Sequence, residues 1–63
     1  MRNYNLDFRG FYVTVEVRAN TIYAFWCNHD YEQSRVFSGY SVNEVKEIVR
    51  ENITDYLEAL END

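Results

Sequence analysis

The chain has 63 residues, of which 46% are hydrophobic and 17% aromatic, so we expect one small ordered domain over residues 1–63. Eleven acidic against six basic residues give a formal charge of −5, which disfavours nucleic acid as a partner and favours a basic protein. The single cysteine excludes an internal disulfide, and no apolar run approaches the length of a membrane span, so a soluble cytoplasmic protein is expected. A core of this size is marginal, so self-association or a partner is expected to add stability.

The first ten residues leave three arrangements open. Tyr4, Leu6 and Phe8 alternate with polar residues, which is typical of a strand. This segment either extends the next strand through a bulge at Gly10 or forms a separate edge strand. In the third arrangement it folds back over a face of the sheet.

A hairpin is predicted next, from "FYVTVEVR" (11–18) and "TIYAFWC" (21–27). The first run alternates strictly between apolar and polar residues, and the second is rich in residues that favour strands. The pairing follows if Ala19 and Asn20 form a two-residue loop; a four-residue loop keeps the same pairs, whereas a three-residue loop would require a bulge. On one face Val17 pairs with Ile22, Val15 with Ala24 and Val13 with Trp26, and on the other Glu16 pairs with Tyr23, Thr14 with Phe25 and Tyr12 with Cys27.

A third strand and a helix complete the predicted chain. "NHDYEQS" is polar and predicts a loop, and "SRVFSGY" predicts a short strand with Val36 on the valine face and Arg35 and Phe37 on the other. Ser41 and Glu44 form a capping box, so a helix is expected from about Val42 to Leu60. Its apolar positions recur with the helical period, at Val42, Val45, Ile48, Val49, Ile53, Tyr56, Leu57 and Leu60.

These elements predict an α+β domain of β-β-β-α order. A three-stranded antiparallel sheet, or a four-stranded one if residues 1–10 join it, packs on one C-terminal amphipathic helix. One helix covers one face of such a sheet, and the valine face is the natural choice. The other face would then expose aromatic rings that are typical of a partner-binding surface. The predicted partner-binding residues are Tyr12, Glu16, Arg18, Tyr23, Phe25, Arg35 and Phe37.

The sequence offers no set of residues that suggests catalysis, a cofactor or a metal site. Cys27, His29 and Asp30 are ligand types for zinc, but a span this short cannot supply four tetrahedral ligands. The expected function is therefore non-enzymatic protein binding, with a protein partner, a basic one included, or with a second copy. The alternatives are a platform for single-stranded nucleic acid, in which bases stack on the rings, and a purely structural homodimer.

The segment "RVFSGYSVNEVKEIVRENITDYLEAL" resembles the third strand, turn and helix of the HicB-type antitoxin domain, and "FYVTVEV" and "IYAFWC" resemble its opening hairpin. The resemblance covers about residues 11–60. The matching positions are Val36, Gly39, Ser41, Glu44, Val45, Ile48, Ile53, Tyr56 and Leu57. This chain has "NHDYEQS" where the family usually has a Pro/Gly-containing stretch, and it carries no appended DNA-binding module. The resemblance implies a domain that binds and neutralises a small protein, not a DNA-binding repressor. The overall expectation is a small acidic inhibitor or accessory protein of bacterial or phage type.

Overall fold

A computed structural model describes residues 2–62 and contains four strands followed by one helix. The elements are strand β1 (Arg2–Phe8), strand β2 (Phe11–Arg18), strand β3 (Thr21–Cys27), strand β4 (Glu32–Ser38) and helix α1 (Val42–Glu61). The strands lie in the order β1-β2-β3-β4, and each neighbouring pair is antiparallel. The predicted α+β fold is confirmed in its four-stranded form.

Strand β1 is a separate edge strand. Phe8 pairs with Phe11 across a turn made by Arg9 and Gly10, which both have a positive φ, as the type I′ hairpin turn requires. The apolar side chains Tyr4, Leu6 and Phe8 are half-buried against the core. The bulge at Gly10 and the folding of residues 2–8 over a face of the sheet are therefore both wrong, because this segment pairs alongside β2.

The hairpin of β2 and β3 has the predicted register throughout. Val15 pairs with Ala24 and Thr14 with Phe25, on opposite faces of the sheet. The two-residue loop is confirmed, and Ala19 enters it with a φ of 51°. The alternation of the valines was sufficient here, because a shift of one residue would turn every valine to the wrong face.

The predicted orientation of strand β4 is wrong. Phe37 pairs with Ile22 and is 4% exposed, whereas Val36 pairs with Tyr23 and is 63% exposed. The register follows from the loop, in which Asn28 Oδ1 accepts hydrogen bonds from the backbone N–H groups of Asp30 (2.9 Å) and Tyr31 (2.8 Å). This turn pairs Cys27 with Glu32 and so places Phe37, which has more apolar area to bury than Val36, beneath the helix.

Helix α1 begins and ends close to its predicted bounds. Both hydrogen bonds of the capping box are present, from the backbone N–H of Glu44 to Ser41 Oγ (3.1 Å) and from the N–H of Ser41 to Glu44 Oε1 (2.9 Å). The helix packs on β2 and β3. The buried core consists of Phe11, Val13, Val15, Ile22, Ala24, Trp26, Phe37, Val45, Val49 and Ile53.

Candidate functional site

The side of the sheet opposite the helix is not covered by any described part of the chain, and we call it the open face. Its residues follow from the pairing register, because cross-strand partners share a face. They form four rows across the sheet: Arg18, Thr21 and Ser38; Asn3, Glu16, Tyr23 and Val36; Asn5, Thr14, Phe25 and Ser34; and Asp7, Tyr12, Cys27 and Glu32.

Four large apolar side chains on the open face are exposed, and we call them the aromatic patch. Tyr12 is 49% exposed, Tyr23 40%, Phe25 37% and Val36 63%. Val36 lies directly across from Tyr23, and Phe25 is two residues further along β3 on the same side. The patch thus runs over β2, β3 and β4.

Charged side chains border one corner of the patch. Arg18 Nη2 lies 3.1 Å from Glu16 Oε1, and the Arg18 guanidinium carbon lies 5.3 Å from the centre of the Tyr23 ring. An exposed ion pair of this kind contributes about 0–1 kcal/mol to stability. Its main effect is to orient Arg18 across Tyr23, so that a charged group borders the apolar area.

The rest of the patch has a polar border. On β1 the open face carries Asn3, Asn5 and Asp7, and on β4 Glu32, Ser34 and Ser38 border Val36. An apolar centre with a polar rim is the arrangement found at protein–protein interfaces.

The structure brings together five of the seven predicted partner-binding residues. Tyr12, Glu16, Arg18, Tyr23 and Phe25 all lie on the open face.

The other two residues lie on the helix side, so their predicted place in the patch is wrong. Phe37 is in the core, and Arg35, which pairs with Ala24, lies with its guanidinium carbon 5.1 Å from the Phe37 ring centre. Val36 takes the place predicted for Phe37 and was missed. The sequence did not show where this loop ends, because "NHDYEQS" is polar throughout; in the structure the loop has four residues, which keeps Cys27 opposite Glu32.

The β3–β4 loop was the other region of chemical interest in the sequence. Residues 27–32 line an open depression of about 390 Å³. Within residues 2–62 no three side chains of His, Cys, Asp or Glu lie close enough together to hold a metal ion. Tyr31 instead turns toward the helix, where its ring stacks on that of Tyr56 with the ring centres 4.2 Å apart.

Comparison with protein-family models, with curated proteins and with solved structures returned no match. The helix over residues 42–61 is too polar to cross a membrane, and it is the one helix in the described part of the chain.

Proposed function

We propose that this chain is a non-enzymatic protein-binding module that docks another protein chain through the open face of its sheet. The observation that supports this most is the aromatic patch, whose four side chains are at least 37% exposed and lie in neighbouring rows of the open face. Fully burying a side chain of this size contributes about 1.5–3 kcal/mol. Covering the patch would therefore offset a substantial part of the cost of association.

The charges around the patch favour a protein over single-stranded nucleic acid. A platform that stacks bases also needs cations for the phosphates. Among the open-face residues, Asp7, Glu16 and Glu32 are acidic, and Arg18 is the single arginine and is paired with Glu16. Arg35, which the sequence placed on this face, lies on the opposite side of the sheet and adds no second cation to it.

The resemblance to the HicB-type antitoxin domain supports a biological setting for this binding. The proposal is a small acidic accessory protein of bacterial or phage type, acting in the cytoplasm, that neutralises another protein by contact.

A binding assay with matched surface variants tests the proposal. The immobilised chain is exposed to lysate or to added copies of itself, and bound protein is compared for wild type, Phe25→Asp and Phe25→Thr. Phe25→Thr retains a residue that favours strands, so it separates loss of binding from loss of fold. Both variants should retain less bound protein than the wild type, and their circular dichroism spectra should match that of the wild type.

Leu60→Asp is the control, because Leu60 is 54% exposed but lies on the helix, away from the patch. It should bind as the wild type does. Equal binding by wild type and both Phe25 variants would contradict the proposal.

A further inference from the structure

We infer that the occupant of the open face is a second copy of this chain. The two sheets stack face to face, and each strand lies over the same strand of the other copy with its direction reversed. This inference rests on the proposed function, since it names the partner that the open face takes. It draws on how charge is divided between the two sides of the molecule and among the rows of the open face.

Within residues 2–62 the net charge is −4, and all of this excess lies on the helix side of the molecule. Helix α1 carries six acidic residues and two basic ones, which gives −4; these are Glu44, Glu47, Glu51, Asp55, Glu58 and Glu61 with Lys46 and Arg50. Residues 2–41 carry four of each sign and are neutral; these are Arg2, Arg9, Arg18 and Arg35 with Asp7, Glu16, Asp30 and Glu32.

Stacking through the open face therefore keeps the like charges apart. In such a dimer the two helices lie on the outer sides, separated by two sheets, or roughly 30 Å at about 10 Å per layer. That separation is about three times the Debye length of about 8–10 Å at physiological ionic strength. The overall acidity thus does not oppose self-association through this face.

The rows of charge select one of the two ways of stacking. If the two-fold axis runs along the strands, β1 lies over β4 of the second copy. Asp7 of each copy then faces Glu32 of the other, which brings two pairs of carboxylates together. If the axis runs across the strands, the row of Arg18 lies over the row of Asp7. Glu16 then faces Thr14, Glu32 faces Ser38, and Arg18 faces Tyr12 beside Asp7 of the second copy.

The second arrangement is thus free of contacts between carboxylates and places a cation near an anion and an aromatic ring. It also sets Tyr23 of each copy over Phe25 of the other, so the centre of the interface is aromatic.

The open face is large enough for a stable dimer. Four strands of about seven residues present a sheet of roughly 20 Å by 23 Å, or about 450 Å² in projection. The accessible area of both copies exceeds twice this value, because the rings stand out from the sheet. It reaches the roughly 1,000 Å² of total buried area expected of a specific interface.

Sedimentation equilibrium from about 1 µM to about 500 µM, a range that spans weak to moderate affinities, tests the occupant. Wild type and Leu60→Asp should form the same dimer, and Phe25→Thr should raise the dissociation constant at least tenfold, because an aromatic side chain is lost from the centre of the interface. A monomer over this whole range would overturn the inference. If such a monomer still captured another protein through Phe25, the proposed function would stand with a different occupant.

Charge reversal tests the arrangement. With the axis across the strands, residue 7 lies near Arg18 of the second copy. Asp7→Arg therefore places two arginines side by side and should raise the dissociation constant about threefold, whereas adding Arg18→Asp should return it to the wild-type value. With the axis along the strands, Asp7→Arg would meet Glu32 and strengthen the dimer. Glu51→Arg on the outer side of the helix is the control and should leave the dissociation constant unchanged.

A distance measurement gives a second readout of the arrangement. A spin label at Asn20→Cys, in a Cys27→Ser background, marks the β2–β3 turn at one end of the sheet. The two labels should be about 30 Å apart if the axis runs across the strands, because the two β2–β3 turns then lie at opposite ends of the dimer. They should be about 10 Å apart if the axis runs along the strands, because the two turns then lie at the same end. A distance below about 20 Å would overturn the proposed arrangement.

Discussion

At the scale of single residues, the backbone of the turns carries a cost that the sequence pattern does not show. Arg9 and Ala19 both have a positive φ, near 50°, which costs a non-glycine residue roughly 1–2 kcal/mol. Ala19 has no side-chain oxygen or nitrogen to compensate through a local hydrogen bond. The pairing of β2 with β3 nevertheless holds Ala19 in this conformation.

Ala19→Gly should therefore raise the free energy of unfolding by about 0.5–1 kcal/mol, since relief of the strained φ exceeds the extra entropy of glycine in the unfolded chain. Urea unfolding followed by the fluorescence of Trp26, the only tryptophan, measures this change. Ala59→Gly, in the helix, should lower stability instead. A loss of stability in Ala19→Gly would show that the turn tolerates alanine without strain.

At the scale of elements, regular alternation or a cap predicted the helix and the β2–β3 hairpin, whereas strand β4 was placed with the wrong face inward. In β2 the apolar residues occupy every second position, so one orientation is clearly better. In β4 only Val36 and Phe37 are apolar, and they are adjacent, so alternation favours neither side. The decision was made by the Asn28 turn and by the greater area that Phe37 buries.

Alanine substitutions in β4 test this register. Phe37→Ala should lower the free energy of unfolding by about 3–5 kcal/mol, because it leaves a cavity under the helix. Val36→Ala should change it by less than about 1 kcal/mol, because the side chain is mostly in water. Both are measured by thermal unfolding, and a larger loss for Val36→Ala would mean that the strand is turned the other way.

At the scale of the whole molecule, aromatic contacts at one end of the sheet join segments that are distant in the sequence. Tyr31, in the β3–β4 loop, stacks on Tyr56 near the end of the helix, and both rings lie in T-shaped contact with that of Phe11, at centre distances of 6.3 and 6.0 Å. This cluster ties the start of β2, the loop and the helix together. The loop residue Tyr31 had no periodic neighbour in the sequence to indicate this contact.

A double-mutant cycle measures how strongly this cluster couples the loop to the helix. Tyr31→Ala and Tyr56→Ala should each destabilise the chain, and the double variant should lose about 0.5–1.5 kcal/mol less than the two losses added together. Urea unfolding of the four proteins gives the coupling energy. Strict additivity would show that the two rings contribute independently.

The sequence by itself determined the β2–β3 hairpin with its register, the capped helix, and the β2 and β3 residues of the open face. Each of these follows from local patterns, because side chains alternate in a strand and recur every 3.6 residues in a helix. Only the tertiary structure decided that residues 2–8 form an edge strand, that Phe37 rather than Val36 is buried, and that Arg35 lies on the helix side. These outcomes depend on turn geometry and on competition for space beneath one helix, and neither is encoded in the periodicity of a single segment.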